Sequence, residues 1–220
     1  MSYFVTGTDT NVGKTLISCA LLYGFAGQGQ RVVGMKPVAC DEDGVSEDVR
    51  LLRAASNVRS SRGQVNPYCF ERAVAPHLAA RFAGVRIDLG RIVESCWELA
   101  AQADVVIVEG AGGFRVPLND MQDSADLAKQ LNLPVILVVG MRLGCLNHAL
   151  LTAEVIAACG LTLAGWVANC VDGQMTMLNE NIAALQQRFD APLLGVVPHY
   201  PASPDAMDVV SFLDLSLLKH

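Results

Sequence analysis

Two patterns of apolar residues alternate along the chain. Short runs rich in Val, Ile and Leu are typical of buried strands, and longer segments with apolar residues every three or four positions are typical of amphipathic helices. The runs predict strands at residues 3–6, 32–35, 105–108, 135–139, 163–168 and 193–197. The periodic segments predict helices at residues 14–26, 47–55, 89–102, 124–131, 146–159 and 177–189.

This alternation predicts an α/β fold with a mainly parallel central sheet and helices on both faces. We expect one domain over residues 1–220, because no linker-like or low-complexity segment divides the chain. Residues 41–88 are less regular, and their secondary structure is not predicted in detail. Ligands bind such sheets at the carboxyl ends of the strands. The segments that follow the predicted strands there are residues 7–15, 36–40, 109–113, 140–147, 169 and 198–205.

Composition and charge exclude several classes of protein. Apolar residues make up 52% of the chain and charged residues 17%, which favours a large core over disorder. The net charge of −6 argues against a nucleic-acid-binding surface, so a phosphate ligand would need a local site. The seven cysteines are scattered without zinc-ligand spacing, as in a reducing cytosol. No signal peptide and no apolar run long enough to span a membrane is apparent, so we expect a cytoplasmic protein.

The segment after the first predicted strand carries a phosphate-binding pattern. Residues 7–15 read Gly-Thr-Asp-Thr-Asn-Val-Gly-Lys-Thr and lead into a predicted helix, which indicates a three-layer P-loop NTPase-like fold. Lys14 would lie near the β- and γ-phosphates, and the Thr15 hydroxyl would hold Mg²⁺. Thr8 stands where the usual pattern has its first glycine, and Gly7 comes one residue earlier. An ordinary glycine turn before a helix is the alternative.

Three further polar residues have two interpretations each. Glu109 ends an apolar run and precedes a Gly-rich segment, which favours a place beside Mg²⁺ over a solvated loop position. Asp48 could serve the same ion, or it could simply complement the dipole of the helix that it opens. Lys36 could be a solvated strand-end residue, or it could neutralise charge on a transferring phosphoryl group.

Two segments near the later strands also have two interpretations. The helix start at residues 140–147 offers free N–H groups to a carboxylate or phosphate. Asn147 could cap that helix or bind the ligand. Asn169 could recognise a base edge through its paired donor and acceptor, or it could be a turn residue.

Together these motifs resemble dethiobiotin synthetase over nearly the whole chain, in order. The similarity is weakest at residues 41–88 and after Pro198, and the early glycine of the loop is itself a feature of this family. The matching segments are residues 7–15 (quoted above), 36–39 (Lys-Pro-Val-Ala), 108–113 (Val-Glu-Gly-Ala-Gly-Gly), 134–140 (Pro-Val-Ile-Leu-Val-Val-Gly), 143–153 (Leu-Gly-Cys-Leu-Asn-His-Ala-Leu-Leu-Thr-Ala), 165–169 (Gly-Trp-Val-Ala-Asn) and 191–195 (Ala-Pro-Leu-Leu-Gly).

The resemblance implies an ATP- and Mg²⁺-dependent cyclo-ligase of biotin biosynthesis. Such an enzyme converts 7,8-diaminononanoate and CO2 to dethiobiotin and releases ADP and phosphate. One amine becomes a carbamate, the carbamate is phosphorylated to a carbamic–phosphoric anhydride, and the second amine closes the cyclic urea. The resemblance also implies a homodimer with active sites at the subunit interface.

The resemblance assigns roles to individual residues. Lys36 is the implied active-site lysine, Lys14 binds the phosphates, and Thr10 lies near the carbamate. The implied Mg²⁺ residues are Thr15, Asp48 and Glu109. Further implied ATP contacts are Asn11, Val12, Gly13, Leu16, Gly110, Ala111, Gly112, Asn169 (for adenine), Cys170, Pro198, His199, Tyr200 and Asp205 (for ribose). The implied substrate contacts are Lys36, Cys40 and, from the partner's helix start, Gly144, Cys145, Leu146 and Asn147.

Two positions depart from the family pattern. Cys40 stands where members often have Ser or Thr, and a thiol is a weaker hydrogen-bond donor than a hydroxyl. The predicted helix at residues 177–189 lacks the tyrosine that often reaches the neighbour's substrate, and Asn181 is the nearest equivalent. We therefore expect the carboxylate end of the substrate to be held differently.

Three alternatives remain at this point. A P-loop switch ATPase of the partitioning or cell-division type would carry a second lysine early in the loop, where this chain has Thr8, Asp9 and Thr10. A small-molecule kinase would share the loop but would not depend on CO2. A degenerate, binding-only member is disfavoured because Lys14, Thr15, Lys36 and Glu109 are all present.

Overall fold

The computed structural model describes residues 1–42, 46–202 and 204–218. Its strands are β1 (Ser2–Gly7), β2 (Val32–Met35), β3 (Val38–Cys40), β4 (Tyr68–Phe70), β5 (Val105–Glu109), β6 (Val135–Gly140), β7 (Leu163–Asn169) and β8 (Leu193–Val197). Its helices are α1 (Lys14–Gly27), α2 (Glu47–Ala55), α3 (Arg62–Val65), α4 (Pro76–Phe82), α5 (Leu89–Ala100), α6 (Ser124–Leu131), α7 (Cys145–Ala158), α8 (Leu178–Gln186) and α9 (Ala206–Val209). Short 3-10 turns follow at Val210–Phe212 and Leu215–Leu217.

Six strands form one sheet in the order β2-β5-β1-β6-β7-β8, with every neighbouring pair parallel. The six predicted strands and the mainly parallel sheet are confirmed. Four strands run one residue past their predicted carboxyl ends, because ladder pairing continues there, as in Val5 with Glu109 and Gly140 with Asn169. Glu109 and Asn169, two candidate site residues, thus belong to the ends of strands.

The predicted helices are confirmed with shifted bounds. The bounds of α2 and α6 agree with the prediction, α1 runs one residue further, and α5 ends two residues earlier. Helix α7 lies one residue earlier than predicted, because Gly144 takes a left-handed φ of 93° directly before it. Helix α8 begins one residue later because Met177 has a left-handed φ of 55°, and it ends three residues earlier.

The irregular region between α2 and α5 contains a second, two-stranded parallel sheet of β3 and β4. The Asn66 amide donates to the carbonyl oxygens of Lys36 at 2.7 Å and Tyr68 at 2.9 Å. Tyr68 N–H also donates to Pro37 O at 3.1 Å. These contacts between distant segments hold the chain immediately after β2 against the start of β4.

The core confirms a layered arrangement with helices on both faces. Successive strand residues point to opposite faces, so Phe4 packs in one apolar cluster with Ile92 of α5, and Val5 packs in another with Ile17 of α1. A third cluster, which includes Trp166 of β7, packs α7 and α8 on the sheet. No helix in the described part of the chain is long and apolar enough to cross a bilayer.

Candidate active site

The loop between β1 and α1 has the backbone geometry of an anion cradle. Asn11 and Gly13 take left-handed φ values of 57° and 91°, with Val12 between them. Alternation of this kind turns successive N–H groups toward one point. Gly13 also caps α1 without a side-chain bond, so the first N–H groups of the helix are free for a ligand.

The early glycine in the loop has a packing role. A Cβ atom on Gly7 would lie 2.6 Å from a methyl carbon of Val12, so only glycine leaves room for that side chain. Thr8, at the usual glycine position, accepts a hydrogen bond from Gly140 N–H at 3.3 Å through its hydroxyl. The departure from the usual pattern therefore ties the loop to β6.

Lys14 lies over the loop with its side chain largely buried. Its Nζ donates to Asp9 O at 2.8 Å. The pKa of Lys14 is lowered to about 8, mainly by burial and to a smaller extent by the positive charge of Lys36. A bound phosphate would favour the protonated amine and offset both effects.

Two carboxylates and a hydroxyl meet beside Lys14. Thr15 Oγ1 lies 2.8 Å from Asp48 Oδ1 and 2.8 Å from Glu109 Oε1. Glu109 ends the central strand β5 and is fully buried. Ser46 caps α2 by accepting from Val49 N–H, and this places Asp48 in the first turn of the helix. Asp48 thus lies in the first turn of a helix, where it complements the helix dipole, and also beside Thr15 in the site. Its role at Mg²⁺ stays a prediction.

Lys36 joins these acids. Its Nζ lies 2.6 Å from Glu109 Oε1 and 2.8 Å from Asp48 Oδ2. Burial alone would lower the pKa of Lys36, but the two carboxylates outweigh it and raise that pKa above the usual range. Burial likewise opposes ionisation of Asp48, but Lys36 and the Thr15 hydroxyl hold the pKa of Asp48 below its ordinary value.

The oxygen atoms of this group suit Mg²⁺. Glu109 Oε2 is buried and has no hydrogen-bond partner among the described residues, so one carboxylate oxygen is left for a ligand. In the described ranges, no group of three or more His, Cys, Asp and Glu residues could hold a metal by itself. Two carboxylates and a hydroxyl fit an ion that shares its coordination with nucleotide phosphates.

A cleft of about 1090 Å³ opens over these groups. Its volume suits two ligands side by side better than a single small molecule. The predicted site residues that line it are Thr10, Asn11, Gly13, Lys14, Thr15, Leu16, Lys36, Cys40, Asp48, Glu109, Ala111, Gly112 and Asp205. Asp9 of the loop motif lines it as well, although it had been given no role. Cys19, Tyr23 and Arg115 also line it, and no sequence motif had marked them.

The predicted adenine-side residues lie elsewhere. Asn169, Cys170, Pro198, His199 and Tyr200 do not line the cleft in the described structure. The Asn169 amide is buried and donates to Val12 O at 2.8 Å, behind the loop. The His199 ring packs close to Gly173, and its Nδ1 lies 3.2 Å from Cys170 O. Val12 and Gly110 also contribute no lining surface.

The start of α7 differs from the prediction in one respect. Gly144 is the capping residue and Asn147 is the third residue of the helix, so the cap interpretation of Asn147 was wrong. Arg142 forms an ion pair with Asp9 at 2.5 Å, which links this segment to the phosphate loop and which sequence alone gave no reason to expect. Gly144 and Asn147 are exposed, and Leu143 is 97% exposed.

A parallel sheet with this loop, lysine and acid pair at its carboxyl edge defines a P-loop NTPase. Residues 1–206 match the family model described as AAA domain. Three relatives are each named ATP-dependent dethiobiotin synthetase BioD. They come from Nitrosospira multiformis (56% identity, covering 97% of this chain and 95% of the relative), Aromatoleum aromaticum (55%, covering 97% of each) and Ralstonia nicotianae (52%, covering 98% and 96%). The chain belongs to the ATP-dependent dethiobiotin synthetase family.

Solved structures of other proteins share the fold alone. The cell division protein MinD from Aquifex aeolicus has a TM-score of 0.56 at 15% identity, covering 95% of this chain and 86% of that one. The cell division protein FtsY from Thermotoga maritima has a TM-score of 0.53 at 18% identity, covering 100% and 69%. These likenesses confirm the predicted fold class.

The lowered pKa of Lys14 predicts proton uptake when ATP binds. The free amine is about half protonated at pH 8, and phosphates favour its charged form, so Mg-ATP should draw in about half a proton per site. Calorimetric titration in buffers of different ionisation enthalpy measures this number. Lys14→Arg is the matched control, because a guanidinium does not titrate and uptake should vanish. Equal proton uptake by wild type and Lys14→Arg would show that Lys14 is not the group that gains the proton.

Proposed function

We propose that this chain performs the dethiobiotin synthetase reaction at the cleft over the phosphate loop. Its substrates would be 7,8-diaminononanoate, CO2 and ATP, and its products dethiobiotin, ADP and phosphate. The observation that carries the proposal is the convergence of Lys14, Thr15, Lys36, Asp48 and Glu109 at one sheet edge. Family membership supplies the reaction class.

The chemistry explains why both lysines are needed. An amine adds to CO2 and loses a proton to give a carbamate, whose oxygen then attacks the γ-phosphorus as ADP leaves. The second amine attacks the carbonyl carbon of the resulting anhydride, and phosphate departs as the ring closes. Two anions must approach each other in the phosphorylation step, so the site must supply positive charge between them.

The positions of the residues suggest how the work is divided. Lys14 would turn from Asp9 O to the β- and γ-phosphates, and the N–H groups from Asn11 to Leu16 would surround them. Lys36 would neutralise charge on the transferring phosphoryl group, because its charged form is held by Glu109 and Asp48. Thr10, which lines the same cleft, would lie near the carbamate.

Magnesium fits at the oxygen atoms of Thr15, Asp48 and Glu109. When bound there, it would neutralise phosphate charge that the lysines leave uncompensated. The unpartnered Glu109 Oε2 and the Thr15 hydroxyl between two carboxylates support this assignment.

The substrate carboxylate is the part of the proposal that needs a second subunit. Gly144, Cys145, Leu146 and Asn147 lie at the start of α7. Cys145 N–H donates to Arg142 O at 3.0 Å, and the next N–H groups of the helix, those of Leu146 and Asn147, suit a carboxylate. Within one chain these residues do not line the cleft. A homodimer that buries the exposed Leu143 and Leu151 would bring the start of α7 to the partner's cleft. Asn181 is half-buried on α8, with its amide donating to Met177 O at 2.7 Å, and it would then be near the same substrate end.

The remaining assignments follow the family. Adenine would be bound near Asn169, Cys170, Pro198, His199 and Tyr200, and the ribose near Asp205. Asp205 lines the cleft and caps α9 by accepting from Met207 N–H at 2.9 Å. Cys40 would contact the diamine; burial raises the pKa of its thiol to about 11, so it would act as a neutral group. A cytoplasmic location accords with such a biosynthetic role.

The function is tested by following labelled carbon. Purified protein is incubated with 7,8-diaminononanoate, Mg-ATP and 13C-bicarbonate, and the products are analysed by mass spectrometry. We expect a labelled cyclic urea and an equal amount of ADP. ADP release without labelled urea would contradict the proposal and indicate a kinase or a switch ATPase.

Lys36→Ala is expected to lower turnover by about a hundredfold or more while ATP still binds, because charge stabilisation during phosphoryl transfer is lost. Steady-state rates measure turnover, ATP titration measures binding, and thermal unfolding measures the stability of the folded protein. Lys129→Ala, an exposed lysine on α6, is the matched control and should behave like wild type. Wild-type turnover in the Lys36 variant would remove this residue from the mechanism.

A further inference from the structure

The phosphate loop needs support at Val12. Asn11 on one side and Gly13 on the other both take left-handed backbone conformations, which asparagine adopts more readily than other non-glycine residues but still at some cost. The N–H groups converge on a phosphate only while that conformation persists. Contacts that hold the peptide between Val12 and Gly13 therefore determine how well phosphates bind.

The side chain of Val12 is fixed by two glycines. A Cβ atom on Gly7 would lie 2.6 Å from one Val12 methyl carbon, and a Cβ atom on Gly140 would lie 2.7 Å from the other. The methyl groups thus fill a notch between the ends of β1 and β6. This packing holds the side chain of Val12 but leaves its carbonyl group to be held by another residue.

Asn169 holds that carbonyl group. Its Nδ2 donates to Val12 O at 2.8 Å, and a Cβ atom on Gly13 would lie only 2.2 Å from the same nitrogen. Asn169 ends β7, where its carbonyl oxygen accepts from Met141 N–H at 2.8 Å. Asn169 is 7% exposed and does not line the cleft. The end of β7 therefore holds the Asn169 amide in contact with the Val12–Gly13 peptide, on the side of the loop away from the cleft.

We propose that Asn169 is a positioning residue for the phosphates, acting through the Val12–Gly13 peptide. This inference rests on the proposed use of ATP at the loop. An amide has two N–H groups and one oxygen, so the bond to Val12 leaves one N–H and the oxygen for a base. A residue that only recognises adenine would affect ligands with a base. A residue that shapes the loop would affect every phosphate ligand.

The test compares ATP with tripolyphosphate, which has no base. Dissociation constants of both, with Mg²⁺, are measured by calorimetry for wild type, Asn169→Asp and Asn169→Ala. A carboxylate at position 169 would face Val12 O without a donor, and alanine would leave that oxygen unpaired. We expect both variants to bind tripolyphosphate about tenfold more weakly, and ATP at least tenfold more weakly, because ATP also loses the contact between the amide and its base.

Asn132→Asp is the matched control, because it makes the same chemical change at an exposed position next to the opposite edge of the sheet. Thermal unfolding identifies folded variants, and Asn169→Ser takes the place of any that fails to fold. Normal binding of tripolyphosphate by a folded variant, with or without weaker ATP binding, would overturn the inference. If the wild-type protein forms no labelled urea, the proposed function is contradicted instead. Failure of the proposed function and failure of this inference are therefore distinguishable.

Discussion

The ion pair between Lys36 and Glu109 is the interaction on which the site depends. Glu109 is fully buried at the end of a central strand, where an unpaired carboxylate would be very costly. Lys36 follows the neighbouring strand β2 and brings its ammonium to within 2.6 Å. Removing one partner of a buried pair typically costs about 3–5 kcal/mol. The pair therefore constrains where β2 and β5 end relative to each other.

The same pair separates the roles of two adjacent lysines. Lys36 lies between two acids and stays charged, whereas Lys14 is buried near another cation and holds its proton weakly. A phosphate arriving at the loop meets an amine at Lys14 that gains its proton on binding, whereas the charge of Lys36 is already paired with Glu109 and Asp48. Because the chain has a net charge of −6, this local arrangement must attract the nucleotide without help from the overall field.

Local sequence patterns were enough for the main sheet and for many of the residues that line the cleft over the phosphate loop. Runs of Val and Ile marked the six strands, and Gly-Lys-Thr marked the loop, because both depend on neighbours in sequence. The small β3–β4 sheet escaped prediction because its strands have three residues each and because the Asn66 amide beside β4 joins it to Lys36, 30 residues earlier in the chain. The bond from Asn169 to Val12 and the pair of Arg142 with Asp9 join segments more than a hundred residues apart, which no motif encodes.

The most direct test is to titrate the lysine side chains by NMR. The sequence contains only four lysines, so their Nζ and Cε signals can be resolved and assigned with single Lys→Arg variants. We expect Lys36 to keep its proton at pH values above 10.5, the ordinary pKa of a lysine side chain. Lys14 should lose its proton near pH 8. Deprotonation of Lys36 below its ordinary pKa would contradict the buried ion pair and the role proposed for it.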